Sequence, residues 1–262
     1  MKLRKSLMRI VGAWKRITRK VAPTIYLEEI DAHFEKVFDV KNDSEHRVWH
    51  EIISEKVHID LHLLLPNDSR PFYVVYTTGM SDLPMKFKRP DVTWDYKKTH
   101  ERAEIFCLLL PDWSIDFERR APKEELICYW WIFEVIKAAA RYPHISGNFI
   151  GNGHTLQYTS ENKPFADNTL LCSAIFAVFD DSDFEGKYGD DLGYMRTADG
   201  AYINLLYIIP LYKEELQFKL DHGAEPLLKR LLGDSVKDFS QITLNPSRKN
   251  VCKDEENENI IY

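Results

Sequence analysis

The chain is short of the features that mark secreted, redox and membrane-embedded proteins. Four cysteines, Cys107, Cys128, Cys172 and Cys252, lie far apart with no CxxC pair. Three of them sit inside apolar runs, where cysteine behaves as a small hydrophobe, so a reducing, cytoplasmic setting is expected. No stretch is long enough to span a membrane, and the start of the chain lacks the continuous apolar run of a secretory signal. There is no repeat of fixed period and no linker rich in Gly, Ser or Pro, which leaves out solenoids and tethered arrays. Catalytic signatures are missing too. Gly151-Asn152-Gly153-His154-Thr155 has neither the lysine of a phosphate loop nor the spacing of a dinucleotide fingerprint, and no G-x-S-x-G elbow occurs.

What is present is a large apolar inventory. With 262 residues, 44% of them hydrophobic and 13% aromatic, the chain can bury a substantial core. Its charge is unevenly placed. Residues 1–20 carry eight bases and no acid. With the whole chain at −6 and that arm at +8, residues 21–262 carry −14. Leu3, Leu7, Ile10, Val11, Trp14, Ile17 and Val21 recur at helical spacing, so residues 1–22 read as a basic amphipathic arm. Docking on the domain, contact with an anionic membrane surface or nucleic acid, and a targeting role all suit that pattern.

Further along, Thr24 is placed to cap a helix running to about Phe38. Val57 to Leu63 alternates apolar with polar, the pattern of a half-buried strand, and Phe72 to Tyr76 is its neighbour. Arg89 to Glu101 is polar and reads as irregular. Ile105 to Leu110 reads as a buried strand and Leu126 to Arg141 as a helix that Pro143 stops. Leu170–Phe179 and Tyr202–Ile209 are further strands. Lys213–Leu220 and Glu225–Leu232 are short helices. Strands and helices mix without regular βαβ alternation, so the expected class is α+β, one domain over 23–245 with a mixed or antiparallel sheet flanked by helices. Residues 246–262 form a polar, partly disordered tail.

Three constellations could carry chemistry. His58, Asp60 and His62 share one face of a strand, where imidazole, carboxylate and imidazole could bind a transition metal and support a metal-dependent hydrolase. His46 and His50 form an i, i+4 pair if that segment is helical. The same alternation also describes an ordinary polar face, and no cofactor or metal is required. The second constellation is the loop Gly79, Met80, Ser81, Asp82 to Met85, with glycine at positive φ and the methionines as adaptable plugs beneath a binding rim. The third is acidic. Asp181, Asp183, Asp190 and Asp191, with Asp180, Glu185 and Asp199, could steer a basic partner, while the same sign disfavours direct nucleic-acid binding by the main domain. His154, after its glycine turn, is the remaining partner-contact candidate.

Ordered segments resemble the Suppressor of fused domain family. They are Val48-Trp49-His50-Glu51, Val57-His58-Ile59-Asp60-Leu61-His62, Thr78-Gly79-Met80-Ser81-Asp82-Leu83-Pro84-Met85 and Arg102-Ala103-Glu104. Ala140-Arg141-Tyr142-Pro143-His144, Gly153-His154-Thr155, Pro210 to Leu216, Lys219 to Gly223 and Arg248-Lys249-Asn250-Val251 follow in order. The resemblance implies a single α+β domain that binds other proteins without catalysis. In the compact bacterial form, which this chain resembles, it implies an immunity protein that neutralises a polymorphic toxin; the acidic cluster is what suggests a toxin with a basic surface. The basic arm and Ile145-Ser146-Gly147 after His144 depart from the family pattern.

Overall fold

In the computed structural model, residues 24–51, 56–115 and 123–253 are described. The expected basic arm over 1–22 and the end of the tail beyond residue 253 lie outside them. Five helices and eight strands occur among the described residues, in one mixed sheet. Helix α1 (Leu27–Val37) precedes strands β1 (His46–Trp49), β2 (Asp60–Leu64) and β3 (Tyr73–Thr78). Next come α2 (Trp94–His100), β4 (Ala103–Leu109), α3 (Lys123–Ser146), β5 (Thr155–Gln157) and β6 (Ser173–Ala177). Strands β7 (Tyr194–Arg196) and β8 (Tyr202–Leu211), then α4 (Lys213–His222) and α5 (Ala224–Leu232), complete the order.

The sheet runs β1-β2-β3-β4-β8-β6-β5, with β7 also on β8. Its pairings are antiparallel except for β4 with β8, which is parallel and places Ile105 beside Leu206. Strands β2, β4 and β6 are buried along their whole length, which requires cover on both faces. Helix α1 covers one face: Phe34 stacks on Tyr76 at 4.0 Å and meets Phe106 edge-on. Helix α3 covers the other, where Trp49 packs on Phe133 and Trp130. This double cover corrects the half-buried reading of the second strand. His62 is buried because Asp31 of α1 and His46 of β1 meet it there, and Asp60 because His50, His58 and the Glu51 N–H do.

Three local expectations also change. The 89–101 segment contains α2, started by Thr93, whose hydroxyl accepts from the Tyr96 N–H. It buries none of its residues and is held instead by Asn204, which donates to the Thr99 carbonyl at 2.7 Å. Pro143 does not stop α3, which runs on through it to Ser146. Its carbonyl accepts from Gly147, whose φ of +65° ends the helix. Residues 46–49 are strand rather than helix, so His46 and His50 are not a helical pair.

Gly79 closes β3 at φ +96°, as its setting before the loop implied. A Cβ there would overlap the carbonyl oxygen of His58, and the left-handed conformation strains any other residue. Gly79→Val is therefore expected to destabilise the domain by at least about 1–3 kcal/mol, read as a lower urea midpoint at unchanged m-value. An unchanged midpoint would show that the backbone here is not constrained.

Candidate functional site

Buried polar groups tie the chain's scattered polar segments together. Glu104, fully enclosed on β4, accepts from the Ser81 N–H at 2.9 Å and from the hydroxyls of Ser81 and Thr77. Arg102 reaches the Ser81 and Asp82 carbonyls, and His144 lies 3.0 Å from the Met80 carbonyl oxygen. Arg141 on α3 pairs with Glu51, which also takes the Ile59 N–H. Farther along, Arg248 grips Glu215, and that carboxylate caps α4 through the Tyr212 N–H and receives the Val251 N–H. Gly79, Met80, Ser81 and Met85 are consequently buried. They hold up the rim and offer it no side chain, whereas Asp82 is half-exposed and accepts from the Ile25 N–H.

The histidine strand does not gather as one ligand set. Asp60 sits between His50 and His58, its two oxygens each 2.9 Å from an imidazole nitrogen. His62 instead meets His46 at 2.9 Å and Asp31 at 3.0 Å. His58 precedes the first residue of β2, so period two does not carry it onto the His62 face. The hydrolase reading loses its ligand set by this division. Among the described residues, it is Asp31, His46 and His62 whose donor atoms converge closely enough to hold a metal.

The acidic segment folds into two 3₁₀ turns, Asp183–Gly186 and Gly189–Leu192. Asp183 accepts from the Val236 N–H at 2.7 Å, and Asp191 pairs with Lys36 at 2.9 Å. Both are committed to tying the turns to the rest of the domain. Asp181 and Asp190 are exposed, Asp190 accepting from the Tyr194 hydroxyl.

Sequence reading missed a groove of about 710 Å³ between the 86–93 segment, α2, the end of α3 and the start of β5. Its wall is aromatic: Phe87 packs on Phe149 at 4.5 Å, Tyr96 meets both edge-on, and His154 lies against Phe149 at 4.8 Å. Burial holds the His154 imidazole below its ordinary pKa, and Lys219 lowers it further. The rim is basic. Arg89 and Asp91 neutralise each other at 2.7 Å, which leaves Lys86, Lys88 and Lys219 to set the sign. The Lys86-Phe87-Lys88-Arg89 run was the available signal. Only the fold brings Phe149, His154 and Lys219 to face it.

The family model described as Suppressor of fused protein (SUFU) matches residues 55–243. Solved structures are similar at low identity. The Sufu-Fu complex crystal structure contains a chain at 15% identity and TM-score 0.56, covering 88% of this chain and 93% of that one. A putative SUFU homolog from Neisseria gonorrhoeae stands at 14% and 0.51, covering 87% and 98%. Drosophila Suppressor of Fused stands at 14% and 0.56, covering 87% of this chain and 52% of the Drosophila chain. A search of curated proteins by sequence finds no match.

Glu104 gives the site a pH signature. Burial pushes its pKa from 4.5 up to about 8, although its hydroxyl and amide partners and their hydrogen bonds oppose the rise. The native state thus keeps a proton that the unfolded chain releases. The stability from this group is complete below pH 4.5 and is lost as pH rises through about 8. Relative to wild type, Glu104→Gln should remove a loss of a few kcal/mol at most across that window, on the order of one kcal/mol per pH unit. Denaturation midpoints of both proteins from pH 5 to 8 provide the check, and parallel curves would rule out a titrating Glu104.

Proposed function

Because the chain belongs to the Suppressor of fused protein family, we propose that it is a non-enzymatic protein-binding domain whose groove holds an acidic, extended segment of its partner. The observation that carries this reading is the groove itself. Aromatic walls bury apolar side chains, and Lys86, Lys88 and Lys219 reward carboxylates along the rim. A relative in the Sufu-Fu complex crystal structure supports protein binding as the kind of work this fold does. Among the described residues no helix is long and apolar enough to cross a membrane, and a cytoplasmic site of action fits the free cysteines Cys107 and Cys172.

The finer reading is an immunity protein that neutralises a toxin, supported by the resemblance to compact bacterial members. Asp181 and Asp190 then offer a second, acidic contact to a basic toxin surface, separate from the groove. The residues of the groove and of the acidic turns make distinguishable demands on the partner.

The test uses the product of the adjacent gene as bait in a pull-down, followed by calorimetry on the purified pair. Lys86→Glu, Lys88→Glu and Lys219→Glu together should weaken binding by about 10–100-fold, with the loss shrinking at high salt. Asp181→Asn with Asp190→Asn should slow association at low salt and leave the melting temperature alone. Affinity indifferent to the three lysines would remove the groove from the interface. Turnover of a small substrate without any protein partner would overturn the binding reading as a whole.

A further inference from the structure

One polar cluster lies apart from the groove and has no part in the binding reading. Asp31 and Glu35, one turn apart on α1, point at the outer strands of the sheet. His46 comes from β1, His62 from β2, and Tyr76 and Thr78 from β3, where His62 is registered against Tyr76. His46 Nε2 stands 2.9 Å from His62 Nδ1, which stands 3.0 Å from Asp31 Oδ1. The Tyr76 hydroxyl donates to the same Asp31 oxygen at 2.9 Å and lies 3.2 Å from His46 Nε2. His62 is almost wholly enclosed, while Asp31 and Glu35 are partly exposed to solvent.

The outer atoms of both rings are already engaged. Glu35 Oε1 lies 3.3 Å from His46 Nδ1, and a carboxylate can only accept, so that nitrogen carries the proton. His46 Nε2 is then a lone pair aimed at His62. On the far side of His62, Nε2 lies 3.0 Å from the Thr78 hydroxyl. When that nitrogen donates to Thr78, Nδ1 is a second lone pair, and two lone pairs and a carboxylate oxygen face one point. In that tautomer a cation between them relieves the repulsion, as a proton on His62 Nδ1 does in the other. Neighbouring ligands of a tetrahedral zinc ion are about 3.3–3.4 Å apart, a few tenths of an ångström more than the 2.9 and 3.0 Å that separate these atoms here. A histidine backed by a carboxylate is also the usual outer shell of such a site.

We propose that His46 Nε2, His62 Nδ1 and Asp31 Oδ1 bind one divalent transition-metal ion, zinc being the best match, which staples α1 to β1 and β2. Tyr76 orients Asp31, Glu35 orients His46, and the fourth position is left to water. Imidazole and carboxylate donors select zinc and its first-row neighbours over magnesium and calcium, which prefer all-oxygen sites.

The test is zinc titration of the untagged full chain after chelator treatment, followed by metal analysis and thermal melting. One zinc per chain, a higher melting temperature and the visible absorption of a tetrahedral cobalt substitute are expected. His46→Ala should abolish stoichiometric binding, and Glu35→Gln should weaken it by about 10–100-fold. Glu35 is half-exposed, so its variant stays informative if replacing the enclosed His62 prevents folding. A folded wild type that takes up no zinc would overturn the site and establish a network held by protons alone. Binding that survives His46→Ala but is lost in His58→Ala would overturn it too, moving the metal to the cluster around Asp60.

Discussion

The architecture hangs on the parallel pairing of β4 with β8. Every other pairing in the sheet is antiparallel, and adjacent antiparallel strands can be joined by short turns. A parallel neighbour demands a crossover, and everything between Leu109 and Tyr202 is spent on it. That crossover carries α3 over one face, contributes β5, β6 and β7, and returns through the acidic turns. Beyond β8 the chain comes back again, with the Leu244 N–H on the Leu108 carbonyl at 2.8 Å. β4 is therefore enclosed on both edges and both faces, which is why Glu104 has no route to water. The groove is a by-product of the same path, formed where the end of the crossover helix passes the segment that leads into β4.

Buried ion pairs do the joining between distant segments. Arg248 with Glu215, Arg141 with Glu51 and Arg70 with Glu45 each link parts of the chain that are remote in sequence or belong to different elements. Such pairs add little net stability, because desolvation consumes most of the attraction. Losing one partner is costly because it strands the other charge. Their effect here is on geometry. Arg248 accepts no substitute position for α4, since Glu215 both binds it and caps the helix.

This explains how much was legible in the sequence. Apolar runs such as Ile105–Leu109 and Tyr202–Ile209 announced central strands, and Gly79 after Thr78 announced a left-handed turn. The family segments were legible as motifs, but their physical meaning was not. Arg141 and Glu51 are joined only after α3 has crossed the sheet. The His58/Asp60/His62 reading failed because each side chain has other partners: Asp60 takes His50 and His58, while His62 meets His46 and Asp31. β1 was overlooked because its four residues, His46 to Trp49, are too few and too polar to show a pattern. The groove was hidden because its walls come from five separate stretches of chain.

The order of the strands has a consequence for synthesis. β1 to β4 form a consecutive antiparallel meander, complete once residue 109 has left the ribosome. The partner for the open edge of β4 is not made until about 93 residues later, roughly 5–20 s at ordinary elongation rates. Throughout that interval the nascent chain displays an apolar, hydrogen-bond-hungry strand edge of the kind that recruits other chains. Half-made copies of this protein on neighbouring ribosomes are therefore each other's hazard, and the demand on holding chaperones falls on the first half of the chain.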